Sequence, residues 1–139
     1  MKKKIKLNTV SEFPKNFIGI ASHHKEIRVV WLLNNLTGLS FSKTNDFVKE
    51  TKGAKSNQKF SMFQFTEEQN NYFLIANKNN ETFLFPKYKT IDYIFISNLA
   101  SEKLSEISSG LSKSEIIIGN FILPADKLIS DTLRKLFED

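Results

Sequence analysis

The side chains best suited to acid–base or metal chemistry are two adjacent histidines, His23 and His24, which are the only histidines in the chain. Neighbouring residues of a helix project about 100° apart, so at the start of a helix predicted from Ser22 the two imidazoles diverge. They cannot easily share a metal ion, and no cluster of carboxylates accompanies them in the sequence. We therefore predict no metal site and no catalytic residue, with one histidine packed and the other in water.

Other catalytic and cofactor motifs are missing or lie in unsuitable places. Glu67 and Glu68 form a carboxylate pair, but they fall in a predicted hairpin turn, where solvated charge is usual. The spacing of the glycines matches neither a P-loop nor a dinucleotide-binding fingerprint, and there is no nucleophile elbow. The chain has no cysteine, which excludes disulfides, thiolate nucleophiles and zinc fingers and indicates a reducing compartment. We expect no cofactor.

A strongly apolar helix is predicted over Ser22–Leu36. Ser22 is a suitable N-cap, the run contains neither glycine nor proline, and Gly38 follows as a left-handed terminator. Apolar residues, Trp31 among them, cover most of the helix circumference. This pattern predicts a deeply buried central helix.

Short runs rich in aromatic and β-branched residues follow residue 59 and predict an antiparallel meander. These runs are 60–65, 72–76, 82–85 and 91–96. Further short strands are expected at 2–7, at 17–20 and at 115–123, where Gly119 marks a break or bulge. Two C-terminal helices complete the prediction, one capped by Asn98 and one over 125–137.

Together these elements predict an α+β fold, a two-layer sandwich. Its sheet is mainly antiparallel, has about five or six strands, and packs on the central N-terminal helix, with the two C-terminal helices completing the cover. We expect residues 1–139 to form a single domain, in which residues 49–58 are a mobile loop.

The segment Phe85-Pro86-Lys87-Tyr88-Lys89-Thr90-Ile91-Asp92-Tyr93 resembles the signature of the IPExxxVDY family of small bacterial proteins. Pro86, Asp92 and Tyr93 match the motif, whereas Lys87 stands where the family has glutamate, which reverses a charge. A second segment also looks like the family's N-terminal region, through Gly19-Ile20-Ala21-Ser22-His23 followed by Arg28, Trp31, Leu32 and Asn34. The resemblance implies membership but no particular reaction, because the family is named only for its motif.

Within this motif Pro86 is expected to end a strand, and Asp92 and Tyr93 then point to opposite faces of the sheet. The structural interpretation is that Asp92 accepts hydrogen bonds from backbone groups of the turn, while the Tyr93 ring packs in the core and its hydroxyl finds a polar partner. The alternative is an edge that binds a partner, for which the candidate binding residues are Pro86, Lys87, Asp92 and Tyr93.

Positive charge is concentrated in the first 59 residues, which carry 12 basic and 4 acidic side chains, whereas the remainder carries 8 basic and 11 acidic. The segment Lys59–Phe65 alternates aromatic residues as RNA-binding sheets do, although such residues usually belong to the core. A nucleic-acid surface would use the following lysines: Lys2, Lys3, Lys4, Lys6, Lys49, Lys52, Lys55 and Lys59.

The favoured function is a non-catalytic binding or adaptor module that meets another macromolecule, a protein, through an edge strand or the Pro86–Tyr93 turn. An edge strand would also allow two copies to pair as a homodimer. The first alternative is a nucleic-acid-associated protein, and the second is a small enzyme without a recognisable catalytic set. No signal-peptide core and no membrane-spanning run is found, so we expect a cytoplasmic protein and no membrane partner.

Overall fold

A computed structural model describes residues 13–50 and 57–138 and shows an α+β fold built on a six-stranded antiparallel sheet. The strands are β1 (Asn16–Ala21), β2 (Ser42–Lys43), β3 (Phe47–Lys49), β4 (Gln58–Phe60), β5 (Met62–Glu67), β6 (Asn70–Ala76), β7 (Tyr93–Ser97) and β8 (Gly119–Pro124). The helices are α1 (Glu26–Thr37), α2 (Ser101–Leu111) and α3 (Lys127–Leu133), and 3-10 turns cover Pro86–Tyr88 and Arg134–Phe137. The predicted fold class is confirmed.

The sheet order is β2-β5-β6-β7-β1-β8, and β3 and β4 form a separate hairpin. The β5–β6 hairpin turns at Glu68, whose φ of 55° is left-handed, so the predicted hairpin turn is present, although Glu67 is the last residue of β5 and pairs with Asn70. The predicted strand at 82–85 is wrong: Phe83 makes only an isolated bridge to Lys78. Leu84 and Phe85 are instead buried in an irregular segment, and Phe83 is half-buried.

One face of the sheet is covered by α1 and α2. Val29, Val30 and Leu33 of α1 are buried there together with alternating strand residues such as Ile18 and Phe95. Since each such side chain contributes roughly 1.5–3 kcal/mol when buried, this layer supplies a large part of the driving force for folding.

The other face is covered by α3, the Arg134–Phe137 turn and the β3–β4 hairpin. Ile129 and Leu133 of α3 are fully buried against Phe17, Phe73 and Phe85. The two predicted C-terminal helices are both present, although α2 begins at Ser101 rather than after Asn98. Among the described residues, no helix has the length and apolarity needed to cross a bilayer.

Helix α1 differs from its prediction in its start and in its burial. It begins at Glu26 after the N-cap residue Lys25, whereas Gly38 ends it with φ 77° as expected. Ile27 and Trp31 are 72% and 57% exposed, so the prediction of a deeply buried helix is wrong. A helix that lies on one face of a sheet buries only the stripe facing the strands and leaves the outer stripe to solvent.

Two predicted segments fall wholly or partly outside the described residues. These are the strand at 2–7 and the part of the loop 49–58 that spans residues 51–56. The ends of that loop, Lys49 and Gln58, are the paired last and first residues of β3 and β4.

Candidate functional site

The motif segment is held in place by one buried asparagine, Asn77, which directly follows β6 and is fully buried. Its Nδ2 donates to the carbonyl oxygens of Tyr88 and Ile91, both at 2.9 Å. Its Oδ1 accepts the N–H of Phe85 at 2.9 Å, and its own N–H donates to the Asp92 carbonyl. Hydrogen bonds from the single residue Asn77 therefore hold the segment from Phe85 to Asp92 in place. The sequence analysis missed Asn77, because an asparagine after a strand is typical of an ordinary turn.

Asp92 connects the motif to the segment that follows β1. Its Oδ2 accepts the backbone N–H of Ser22 at 2.9 Å, and its Oδ1 lies 3.3 Å from Lys78 Nζ. Its backbone N–H donates to the carbonyl of Ile20. The carboxylate thus accepts a backbone hydrogen bond as predicted, although the donor belongs to the β1–α1 loop rather than to the motif's own turn.

Tyr93 holds the same loop from its other side. Its hydroxyl donates to the carbonyl oxygen of His24 at 2.9 Å. Burial of the phenol, with smaller contributions from the charges of Glu26 and Asp92, raises the pKa of Tyr93 to about 12. The expected polar partner of the hydroxyl is therefore a backbone carbonyl.

Ionisation of Tyr93 is expected to loosen this loop only in strong alkali. Because its folded-state pKa of about 12 exceeds the unfolded value of about 10, its contribution to stability is complete below pH 10 and is lost as the pH rises through 12. An ultraviolet titration of tyrosinate formation should show a late step that Tyr93→Phe removes. A titration curve unchanged by that substitution would contradict the arrangement.

A cavity of about 350 Å³ opens beside these contacts. It is lined by residues 22–26 of the β1–α1 loop and by Ala76, Lys78, Asp92 and Tyr93. We call it the motif pocket. The Glu26 carboxylate in its wall accepts the Ser61 hydroxyl at 3.3 Å. No group of three or more histidine and carboxylate side chains suited to a metal ion is found in the described part of the chain.

The structure brings together only some of the candidate binding residues. Asp92 and Tyr93 share the motif pocket with His23 and His24, whereas Pro86 and Lys87 do not line it. Lys87 forms an ion pair with Asp126, which caps α3 through the N–H of Ile129. The hydrogen bond between Lys87 and Asp126 raises the pKa of Lys87 and lowers the pKa of Asp126.

The contact also gives a physical reason for a lysine at position 87. A glutamate at position 87 would place a second carboxylate beside Asp126, and like charges at that distance repel. Lysine at position 87 therefore suits the α3 cap in this chain.

Helix α1, which begins at Glu26 in the pocket wall, carries an exposed strip on its outer side. Ile27 and Trp31 lie one helical turn apart and are both exposed, and the Arg28 guanidinium lies 5.9 Å from the Trp31 ring centroid. We call Ile27, Arg28 and Trp31 the Trp31 strip. This surface was not predicted from the sequence, because the apolar pattern of the helix, Trp31 included, indicated deep burial.

The lysines proposed for nucleic acid are only partly described. Lys49 Nζ donates to the Leu84 carbonyl at 2.8 Å, so this lysine is engaged within the protein, whereas Lys59 is exposed. Phe60 and Phe63 are buried, which confirms the interpretation of the 59–65 run as core. The others lie outside the described residues: Lys2, Lys3, Lys4, Lys6, Lys52 and Lys55.

Comparison with known proteins identifies no relative of this chain. No family model matches it, and no curated protein or solved structure shows significant similarity to it. The interpretation of the site therefore depends on its geometry.

Proposed function

We propose that the protein is a non-catalytic binding module whose motif pocket and Trp31 strip receive an acidic, partly apolar segment of a protein partner. One observation carries the proposal: Trp31 is 57% exposed beside an arginine, on the helix that begins in the pocket wall. Tryptophan and arginine are the residue types most enriched among the side chains that dominate protein–protein binding energy.

The contacts of the pocket favour binding over catalysis. A general base must be available to take a proton from a substrate, but the Asp92 carboxylate already accepts the Ser22 N–H and lies against Lys78. The Tyr93 hydroxyl donates to a backbone carbonyl. If either side chain left its partner to react with a substrate, the β1–α1 loop would lose the contact that shapes the pocket.

The charges around the pocket favour an acidic partner. Its two carboxylates, Asp92 and Glu26, are bonded to protein groups, whereas Lys25 and Arg28 are exposed. The start of α1 adds the positive end of the helix dipole, since Lys25 provides no side-chain cap. A partner carboxylate near the pocket with an apolar side chain on Trp31 would satisfy both features.

The proposal also gives the resemblance to the IPExxxVDY family a physical meaning. The aspartate and tyrosine of the motif shape the loop that bears His23 and His24, and the pocket is formed by that loop. We therefore propose family membership together with a binding surface that the motif supports without contacting the partner through Pro86 or Lys87.

Trp31 is the sole tryptophan, so its fluorescence tests the proposal directly. The free protein should emit as tryptophan does in water. Peptides in which glutamate alternates with leucine should shift the emission to shorter wavelength, with an affinity that falls as salt is added. Matched peptides with lysine in place of glutamate should not bind.

A pair of variants locates the binding surface. Ile27→Asp is expected to weaken binding of the glutamate peptides at least about tenfold, because it places a carboxylate and removes apolar contact in the Trp31 strip. Leu128→Asp is the control, since Leu128 is also exposed but lies on α3. Equal binding of lysine and glutamate peptides, or an equal effect of the two variants, would contradict the proposal. An emission shift produced by an RNA oligonucleotide instead would favour the nucleic-acid alternative.

A further inference from the structure

On the outer edge of β8, backbone N–H and carbonyl groups point away from the sheet. β8 is the last strand in the sheet order and pairs with β1 on its inner side. The N–H of Ala125 donates to the Lys15 carbonyl of the segment before β1. Backbone groups alternate in direction along an antiparallel strand. Asn120, Ile122 and Pro124 therefore direct theirs outward, and the first two offer both an N–H and a carbonyl.

Two of the usual protections against pairing, charge and an interior proline, are absent from this edge. No charged residue occurs between Ile116 and Ala125, and proline stands only at the end of the strand. Phe121 and Ile122 are 49% and 41% exposed. Edge strands that stay unpaired normally carry charges, a bulge or an interior proline. Within the described residues, the outer side of β8 is thus both apolar and able to form hydrogen bonds.

We propose that a second copy of this chain pairs with this edge, antiparallel and with Phe121 opposite Phe121 on a two-fold axis. In this register Asn120 of each copy lies opposite Ile122 of the other. The two residues form two backbone hydrogen bonds, each N–H donating to the opposite carbonyl. The two-fold axis repeats the exchange, which gives four hydrogen bonds. The two Phe121 rings then form a cross-strand aromatic pair.

The same register accounts for the groups at the ends of the edge. Pro124, which has no N–H, falls opposite Ile118 of the other copy. The N–H of Ile118 already donates to the Ala21 carbonyl, so the register leaves no unpaired donor there. An uncharged edge also avoids like-charge repulsion between identical strands.

A second copy suits this short edge better than a flexible peptide does. Four hydrogen bonds are a modest gain, whereas a disordered peptide would lose backbone entropy in every residue that it ordered on binding. In a second copy β8 is already an ordered strand. The inference does not depend on the proposed function, because β8 shares no residue with the motif pocket or the Trp31 strip.

Disulfide trapping tests the register, since the chain contains no cysteine. The Phe121 positions would form a non-hydrogen-bonded pair with Cα atoms about 4.5 Å apart, within the range of about 4.4–6.8 Å that a disulfide spans. Phe121→Cys should form a covalent dimer under mild oxidation at micromolar protein concentration. Ser105→Cys, at an exposed site on α2, is the control and should remain largely monomeric.

Analytical ultracentrifugation of variants without cysteine tests the backbone pairing. Ile122→Pro removes an outward N–H, which an edge strand tolerates, and should weaken dimerisation at least about tenfold, whereas Ile122→Ala keeps the N–H and should weaken it less. Circular dichroism checks that the proline variant is folded. A monomeric wild-type protein together with equal cross-linking of Phe121→Cys and Ser105→Cys would overturn the inference. Peptide binding to the Trp31 strip could still be measured in that monomer, so the two proposals fail separately.

Discussion

Replacement of Asn77 by leucine is expected to lower the free energy of unfolding by about 3 kcal/mol or more. The buried amide bonds the N–H of Phe85 and the carbonyls of Tyr88 and Ile91, and leucine satisfies none of them. Each buried group left without a partner costs about 1–3 kcal/mol, against a total stability of about 5–15 kcal/mol for a domain. Urea denaturation followed by circular dichroism measures the change.

The control for this substitution is Asn79→Leu in the same loop. Asn79 also accepts backbone hydrogen bonds, from the N–H groups of Glu81 and Thr82, but Asn79 is only half-buried and Glu81 is exposed. Water can replace its bonds, so the expected loss is about 1 kcal/mol. Similar losses for both variants would show that Asn77 has no special role in holding the motif.

The different roles of these two asparagines could not be predicted from the sequence. Both residues lie in the polar stretch that separates two apolar runs, and the sequence predicts a turn there. The partners of the Asn77 side chain are 8 to 14 residues further along the chain, and no local pattern marks contacts of that range. The prediction of 82–85 as a strand failed for the same reason, since Phe85 is buried through the loop that Asn77 organises.

Local features of the chain were predicted well because their causes are local. Gly38 ends α1 because the left-handed conformation suits a residue without a side chain, and the short aromatic and β-branched runs in β5, β6 and β7 form strands. The direction in which a helix faces has no such local cause. It depends on where the sheet lies, and α1 is apolar on so much of its circumference that its sequence alone does not identify the buried stripe.

Truncation to alanine is expected to destabilise the protein much more at a core aromatic residue, Phe85, than at Trp31 in the exposed strip. Phe85 is fully buried, so Phe85→Ala should destabilise the protein by about 3–5 kcal/mol through lost burial and the cavity left behind. Trp31 is 57% exposed, and Trp31→Ala should change stability by no more than about 0.5 kcal/mol. Urea denaturation followed by circular dichroism compares the two without depending on tryptophan fluorescence.

The comparison also decides whether the proposed function is tenable. A ring that contributes little to stability but lies beside Arg28 on the exposed side of α1 is available to a partner, so Trp31→Ala should abolish peptide binding while it leaves the fold intact. If Trp31→Ala instead destabilised the protein as much as Phe85→Ala, the ring would belong to the core. The Trp31 strip would then not exist as a surface, and the proposal of an acidic partner at this helix would fail with it.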